Sequence, residues 1–150
     1  MHTMMNKSKI YLSDPANCLC FNLRKAARSL TQTYDAALKP AGITAPQFTL
    51  LTAVMRQGPV SLSDLAAALG MDRTTLTRNL MPLQRDGLVA SFEGDDRRVR
   101  LLTLTAMGRD RLAEAEPLWR AVQAKVTGTF GHEPADTLLA ELDRISSTAG

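Results

Sequence analysis

Residues 61–105 read SLSDLAAALGMDRTTLTRNLMPLQRDGLVASFEGDDRRVRLLTLT, and the punctuation of this stretch decides the fold. Ser61 is a good N-cap, because its side-chain oxygen can accept from a backbone N–H left free at a helix start, and Leu62, Leu65, Ala66 and Leu69 follow at helical spacing. Gly70 ends that helix, since glycine adopts the positive φ of a helix terminus without steric penalty, and Asp72 caps a second helix running to about Arg85. In this second helix Leu76, Leu80 and Leu83 form one apolar stripe. Arg73, Thr74, Thr77 and Arg78 are thereby displaced toward the other side, with Thr75 at the boundary. Gly87 closes the helix. Leu88–Phe92 then reads as a strand and Val99–Leu104 as its return partner, joined by the polar turn Glu93–Arg98. Helix, glycine turn, helix, strand, charged loop, strand is the order of a winged helix-turn-helix.

Such a unit carries its ligand class with it. The N-terminal half of the second helix meets base edges in the major groove, where arginine gives two hydrogen bonds to guanine and threonine contacts a thymine methyl or a phosphate. An arginine at the tip of a β-ribbon suits a narrow minor groove, where negative potential is enhanced. The expected DNA-binding residues are therefore Arg73, Thr74, Thr75, Thr77 and Arg78 on the helix and Arg97 and Arg98 in the turn. A merely solvated hairpin is the alternative for the turn, and its place directly after a helix-turn-helix argues for the wing.

The flanks read as amphipathic helices. One spans roughly 17–39, with Leu19, Leu23, Ala26, Leu30, Tyr34 and Ala37 as its apolar stripe, and Pro40 and Gly42 stop it. Thr44 and Gln47 make a capping box, with Pro46 in the first turn, and open a helix through Phe48, Leu51 and Met55. Thr105 starts another, bearing Leu112, Ala115, Trp119, Val122 and Val126, in which Pro117 is expected to cause a kink. A last helix is expected near Pro134, with Leu138, Leu139, Leu142 and Ile145. The terminal helices need a cover, and a second copy of the chain is the economical one.

The run Asp96-Arg97-Arg98, with Leu104-Thr105 and then Gly108 beyond it, resembles the MarR family of bacterial transcriptional regulators. In that family the D-x-R element shapes the wing and the Leu-Thr pair leads from the last strand into a long dimerisation helix. The resemblance covers about Cys18 to Ile145 and implies that Asp96 orients Arg98, which adds Asp96 to the DNA-binding set. It also implies a fold that is mainly α with a small β-hairpin wing. The whole chain, 1–150, is then a single domain, with a DNA-binding lobe at 44–104 and dimerisation helices at 17–39 and 105–147.

Composition limits the alternatives. With 150 residues, 45% of them hydrophobic, the chain has the size and content of one ordinary globular domain. No stretch is long enough to span a bilayer and the opening MHTMMNKSKIYLSDP lacks the apolar core of a signal peptide, so no membrane association and a cytoplasmic location are expected. The first dozen residues and the last few are expected to fray. The net charge of +3 says little, whereas its placement says more: the proposed DNA face carries Arg73, Arg78, Arg97, Arg98 and Arg100, interrupted by Asp72, Glu93, Asp95 and Asp96. No enzyme constellation, metal site or cofactor motif competes. His2 and His132 fall in a tail and a loop, and no glycine-rich phosphate loop is present.

Cys18 and Cys20 are the remaining constellation. Side chains at i and i+2 of a helix point about 200° apart, so an intrahelical disulfide requires an unwound helix start. They are either small buried hydrophobes, a redox sensor, or a soft-metal site. Leu19-Cys20-Phe21 is similar to the organic-hydroperoxide-sensing OhrR branch of the family, whose reactive cysteine sits in the same context. Tyr34 falls where that branch keeps a tyrosine that hydrogen-bonds the thiol, while Ala45 replaces its second tyrosine. Cys20 and Tyr34 are separated by about 21 Å along one helix at ~1.5 Å per residue, so they could meet only across a dimer.

These readings converge on a homodimeric, sequence-specific DNA-binding regulator and not an enzyme. It is expected to be a repressor of a pseudo-palindromic operator on double-stranded DNA. Release would come from a small aromatic ligand, with Phe21, Tyr34, Phe48 and Trp119 as lining residues, or from oxidation of Cys20 by an organic hydroperoxide, with Cys18 resolving. A thiol-based soft-metal sensor of the same fold, or an interaction module that has lost DNA binding, are the alternatives. A thiol oxidoreductase fits least, because C-x-x-C beside a βαβ pattern is absent.

Overall fold

Side-chain caps set where the helices begin. In this computed structural model, which describes residues 10–148, Asp14 caps a short 3-10 turn, Pro15–Asn17, that leads into α1, Leu19–Leu38. The chain divides between Thr33 and Tyr34 into two compact units, a division that falls within α1. In the first unit the side-chain nitrogen of Asn22 donates to the carbonyls of Ala16 (3.0 Å) and Cys18 (2.9 Å), tying the turn to the helix start. Leu19, Phe21 and Leu30 are all exposed there.

The second unit holds the core. The capping box forms as expected: Thr44 accepts from the Gln47 N–H (3.3 Å) and Gln47 accepts from the Thr44 N–H (3.0 Å), which opens α2, Ala45–Gln57. Asp35 adds a second anchor by accepting from the Ala45 N–H at 2.6 Å. Next comes a strand that sequence reasoning missed, β1, Val60–Ser61. Ser61 also caps α3, Leu62–Leu69, by accepting from the Asp64 N–H, and Gly70 ends it at φ 63°. Asp72 then opens α4, Arg73–Arg85.

Strands β2, Val89–Glu93, and β3, Arg100–Leu104, pair antiparallel with Ser91 opposite Leu102, and β1 joins the other edge of β3 through Val60 opposite Leu102. The order β1-β3-β2 makes β3 the central strand of the wing's root. Helix α5, Ala106–Phe130, follows from Thr105, and α6, His132–Thr148, closes the described chain. Pro117 lies inside α5, with helical residues on both sides. The last helix starts near Pro134, at His132, and one expectation is corrected: His132 belongs to that helix and not to a loop. His2 and the termini 1–9 and 149–150 lie outside the described residues, so the expected fraying concerns mostly positions without a description.

Leu76, Leu80 and Leu83 are at most 2% exposed and pack with Leu50, Leu51, Val54 and Leu65 into one cluster. At about 1.5–3 kcal/mol for each fully buried leucine, this stripe fixes which side of α4 faces outward. Phe130, Leu138, Leu139 and Ile145 of the last two helices stay exposed. Among the described residues no helix is long and apolar enough to cross a membrane.

Candidate nucleic-acid interface

Burial of the leucine stripe leaves α4 with one solvent-facing stripe. Arg73, Thr74, Thr77 and Arg78 line a shallow hollow of about 560 Å³ together with Leu62 and Met81. Neither Arg73 nor Arg78 has an ion-pair partner among the described residues, so both guanidiniums are free for a ligand. The three threonines differ. Thr77 donates its hydroxyl to the Arg73 carbonyl (2.8 Å), and Thr75 donates to Asp72 (2.8 Å). Thr75 is thus committed to the cap and half-buried, which separates it from the outward stripe. Thr74 keeps an exposed hydroxyl at the first turn, beside the positive end of the helix dipole. Asp72 accepts from the Thr75 N–H and hydroxyl, and these bonds hold its carboxyl below the usual carboxylate range.

The wing is built around Asp96. Its carboxylate accepts from the Arg98 backbone N–H (3.0 Å) and from the Arg98 guanidinium through Nε (3.2 Å) and a terminal nitrogen (3.2 Å). The guanidinium, and after it the backbone bond, lowers the Asp96 pKa. Backbone bonds from Val99 N–H to Asp96 and from Gly94 N–H to Val99, each 2.9 Å, close the turn. The Arg98 side chain remains 90% exposed even though it is oriented. Arg97 is exposed without an ion pair among the described residues, and Arg100 turns across the ribbon to donate to the Ser91 hydroxyl (3.0 Å) and carbonyl (3.2 Å). Arg100 therefore braces the wing.

Thr105 joins wing and helix. Its hydroxyl accepts from the Gly108 N–H (3.0 Å) as the cap of α5 and donates to the Gly87 carbonyl (2.6 Å) just past α4. One side chain thus ties the end of α4 to the start of α5.

The sensing candidates fall in different places. Cys18 precedes α1 with ψ 122°, outside helical geometry, and Cys20 sits in the first turn of α1; both are free, exposed thiols. The helical offset that disfavours a bridge between them does not apply at an extended Cys18. Tyr34 donates its hydroxyl to Gln123 of α5 in the same chain, and burial raises its pKa. One turn along α5 from Gln123, Trp119 stacks on Phe48 with ring centroids 5.6 Å apart and planes at 15°. Beside that stack is a cleft of about 180 Å³ lined by Thr52, Met55, Arg56, Leu112 and Glu116 as well as the two rings. The Thr52 hydroxyl is buried with no hydrogen-bond partner among the described residues. Sequence reasoning found the two aromatics and missed Thr52, whose only signal is its place one turn after Phe48. Among the described residues no group of three or more His, Cys, Asp or Glu side chains is placed to hold a metal.

Comparison with known proteins agrees with this geometry. The model of the MarR family matches residues 41–99. The M. tuberculosis transcriptional regulator MosR, solved in complex with DNA, is 43% identical with a TM-score of 0.80, over 88% of this chain and 96% of that one. The transcriptional activatory protein BadR of Rhodopseudomonas palustris is 37% identical over 120 residues, 77% of this chain and 69% of the relative. The organic hydroperoxide resistance transcriptional regulator of Bacillus subtilis is 30% identical over 93 residues, 61% of this chain and 63% of the relative. Capped helix-turn-helix, braced wing and the extent of these matches together place the chain in the MarR family of winged-helix transcriptional regulators.

Proposed function

We propose that this protein is a cytoplasmic homodimer and not an enzyme, and that it represses transcription by occupying a pseudo-palindromic operator. The 44–104 lobe reads DNA, and 17–39 with 105–147 pair two copies. The observation that carries this reading is the outward stripe of α4, whose unpaired Arg73 and Arg78 flank Thr74 and Thr77 on a helix fixed by a buried leucine stripe. Arg98, held by Asp96, reaches the minor groove, and Arg97 is the second candidate for that contact. The exposed apolar residues of α1, α5 and α6 are covered by the second copy. A gel shift with the DNA upstream of its own gene tests this. The shifted band should survive an excess of unrelated duplex, and competition by any duplex alike would contradict specific binding.

The wing is tested separately. Arg98→Ala should weaken operator binding while the melting temperature stays nearly unchanged, because the side chain is exposed. A footprint confined to the major-groove half-sites in the wild-type protein would remove the wing from the interface.

Release by oxidation is supported by the free, exposed thiols at the start of α1. The Cys20 thiolate attacks the peroxide oxygen of an organic hydroperoxide, giving a sulfenic acid and an alkoxide that takes up a proton. The Cys18 thiol, of either chain, then displaces water to form a disulfide. Cys20→Ser should bind the operator as wild type does and stop responding to cumene hydroperoxide. Cys18→Ser should respond with altered reversibility. Loss of the response to arsenite in both variants would instead identify a soft-metal sensor.

A second reading has its own observation. The Phe48–Trp119 cleft with the unpartnered Thr52 hydroxyl fits a small aromatic ring carrying one hydrogen-bonding group. A Cys20→Ser protein that still released DNA on addition of phenolic compounds would favour it.

A further inference from the structure

The outward stripe of α4 continues past Arg78. Met81 lies at the i+7, i+4 and i+3 positions from Thr74, Thr77 and Arg78, and it is 61% exposed. It shares their hollow, with Leu62 of α3 as its apolar neighbour. The fold makes little use of this side chain, which stands off the buried stripe of Leu76, Leu80 and Leu83. A large thioether beside these hydroxyls and guanidiniums, with Leu62 next to it, gains by packing on an apolar group of the ligand. The base edges of the major groove offer one apolar group, the C5-methyl of thymine.

We propose that Met81 is a specificity-determining residue that packs on the methyl group of a thymine in each half-site. The inference rests on the reading of α4 as the helix that enters the major groove. Met81 lies about 10.5 Å along the axis from Thr74 at ~1.5 Å per residue, so it extends the contact surface beyond the N-terminal turn. Methionine suits the task, because its unbranched, polarisable chain adapts to a methyl without demanding one fixed geometry. Leu62 closes one side of the contact and helps exclude water.

Deoxyuridine tests this directly, since it differs from thymidine only by the missing methyl. A duplex enriched from random DNA by the wild-type protein is remade with each thymine of a half-site replaced in turn. At one position per half-site the replacement should weaken wild-type binding about fourfold, the worth of one buried methyl. Met81→Gln should bind the thymidine and deoxyuridine duplexes at that position equally, with an unchanged melting temperature. An enriched duplex with no deoxyuridine-sensitive position, or a sensitivity that persists undiminished in Met81→Gln, overturns the Met81 assignment while leaving DNA binding intact. Failure of the wild-type protein to enrich any sequence overturns both.

Discussion

Gly108→Ala is expected to destabilise the DNA-binding unit by about 3 kcal/mol, the upper end of what overpacking costs. Helix propensity alone argues the opposite sign, because alanine is better than glycine inside a helix by about 1 kcal/mol. Packing decides. A Cβ at this buried position would fall well inside 3.0 Å of the Leu88 carbonyl oxygen, a backbone atom with no rotamer through which to move away. That carbonyl already accepts from the Thr105 N–H at 3.1 Å, and Thr105 in turn holds the Gly87 carbonyl. Displacing it loosens the joint between α4, β2 and α5 at once. Denaturant melts of the two proteins measure the difference, and operator affinity should fall in step with the folded fraction. A variant as stable as wild type would mean that α5 does not approach Leu88 this closely.

Arg78→Ala is expected to weaken operator binding by about 1–3 kcal/mol, as for loss of a bidentate contact to guanine. The side chain is exposed and has no ion-pair partner among the described residues, so its removal leaves folding untouched. The loss should concentrate on particular base pairs when the operator is varied. A loss spread evenly over sequences, with a salt slope shallower by about one, would assign Arg78 to a phosphate. Unchanged affinity would take it out of the interface.

Much of the fold was legible because local signals and burial agree. Ser61, Gly70, Asp72 and Thr44 cap the helices that their positions predict, and the leucine period of α4 gives the observed buried face. What escaped was set by tertiary pairing. Strand β1 is two residues long, too short for any alternation, and exists because β3 offers it an edge.

The site was legible as a list of residue types but not as their partners. The leucine period already set Thr75 at the boundary of the outward stripe, and only the structure shows that Thr75 serves the Asp72 cap and Thr77 the Arg73 carbonyl. Arg100 looked like one more basic residue of the DNA face and instead braces the ribbon through Ser91. Thr52 and Met81 carried no signal in the sequence beyond their helical positions. Their interest lies in an unpartnered buried hydroxyl and an unexplained exposed thioether, and burial is a property of the folded chain.

Selection of bound sequences from random double-stranded DNA tests the central claim most directly, because it measures specificity and symmetry together. Two copies of α4 presented by a symmetric dimer should enrich an inverted repeat whose half-site centres lie about one helical turn apart, roughly 10 base pairs. Enrichment of a single half-site, or of no sequence at all, would contradict it.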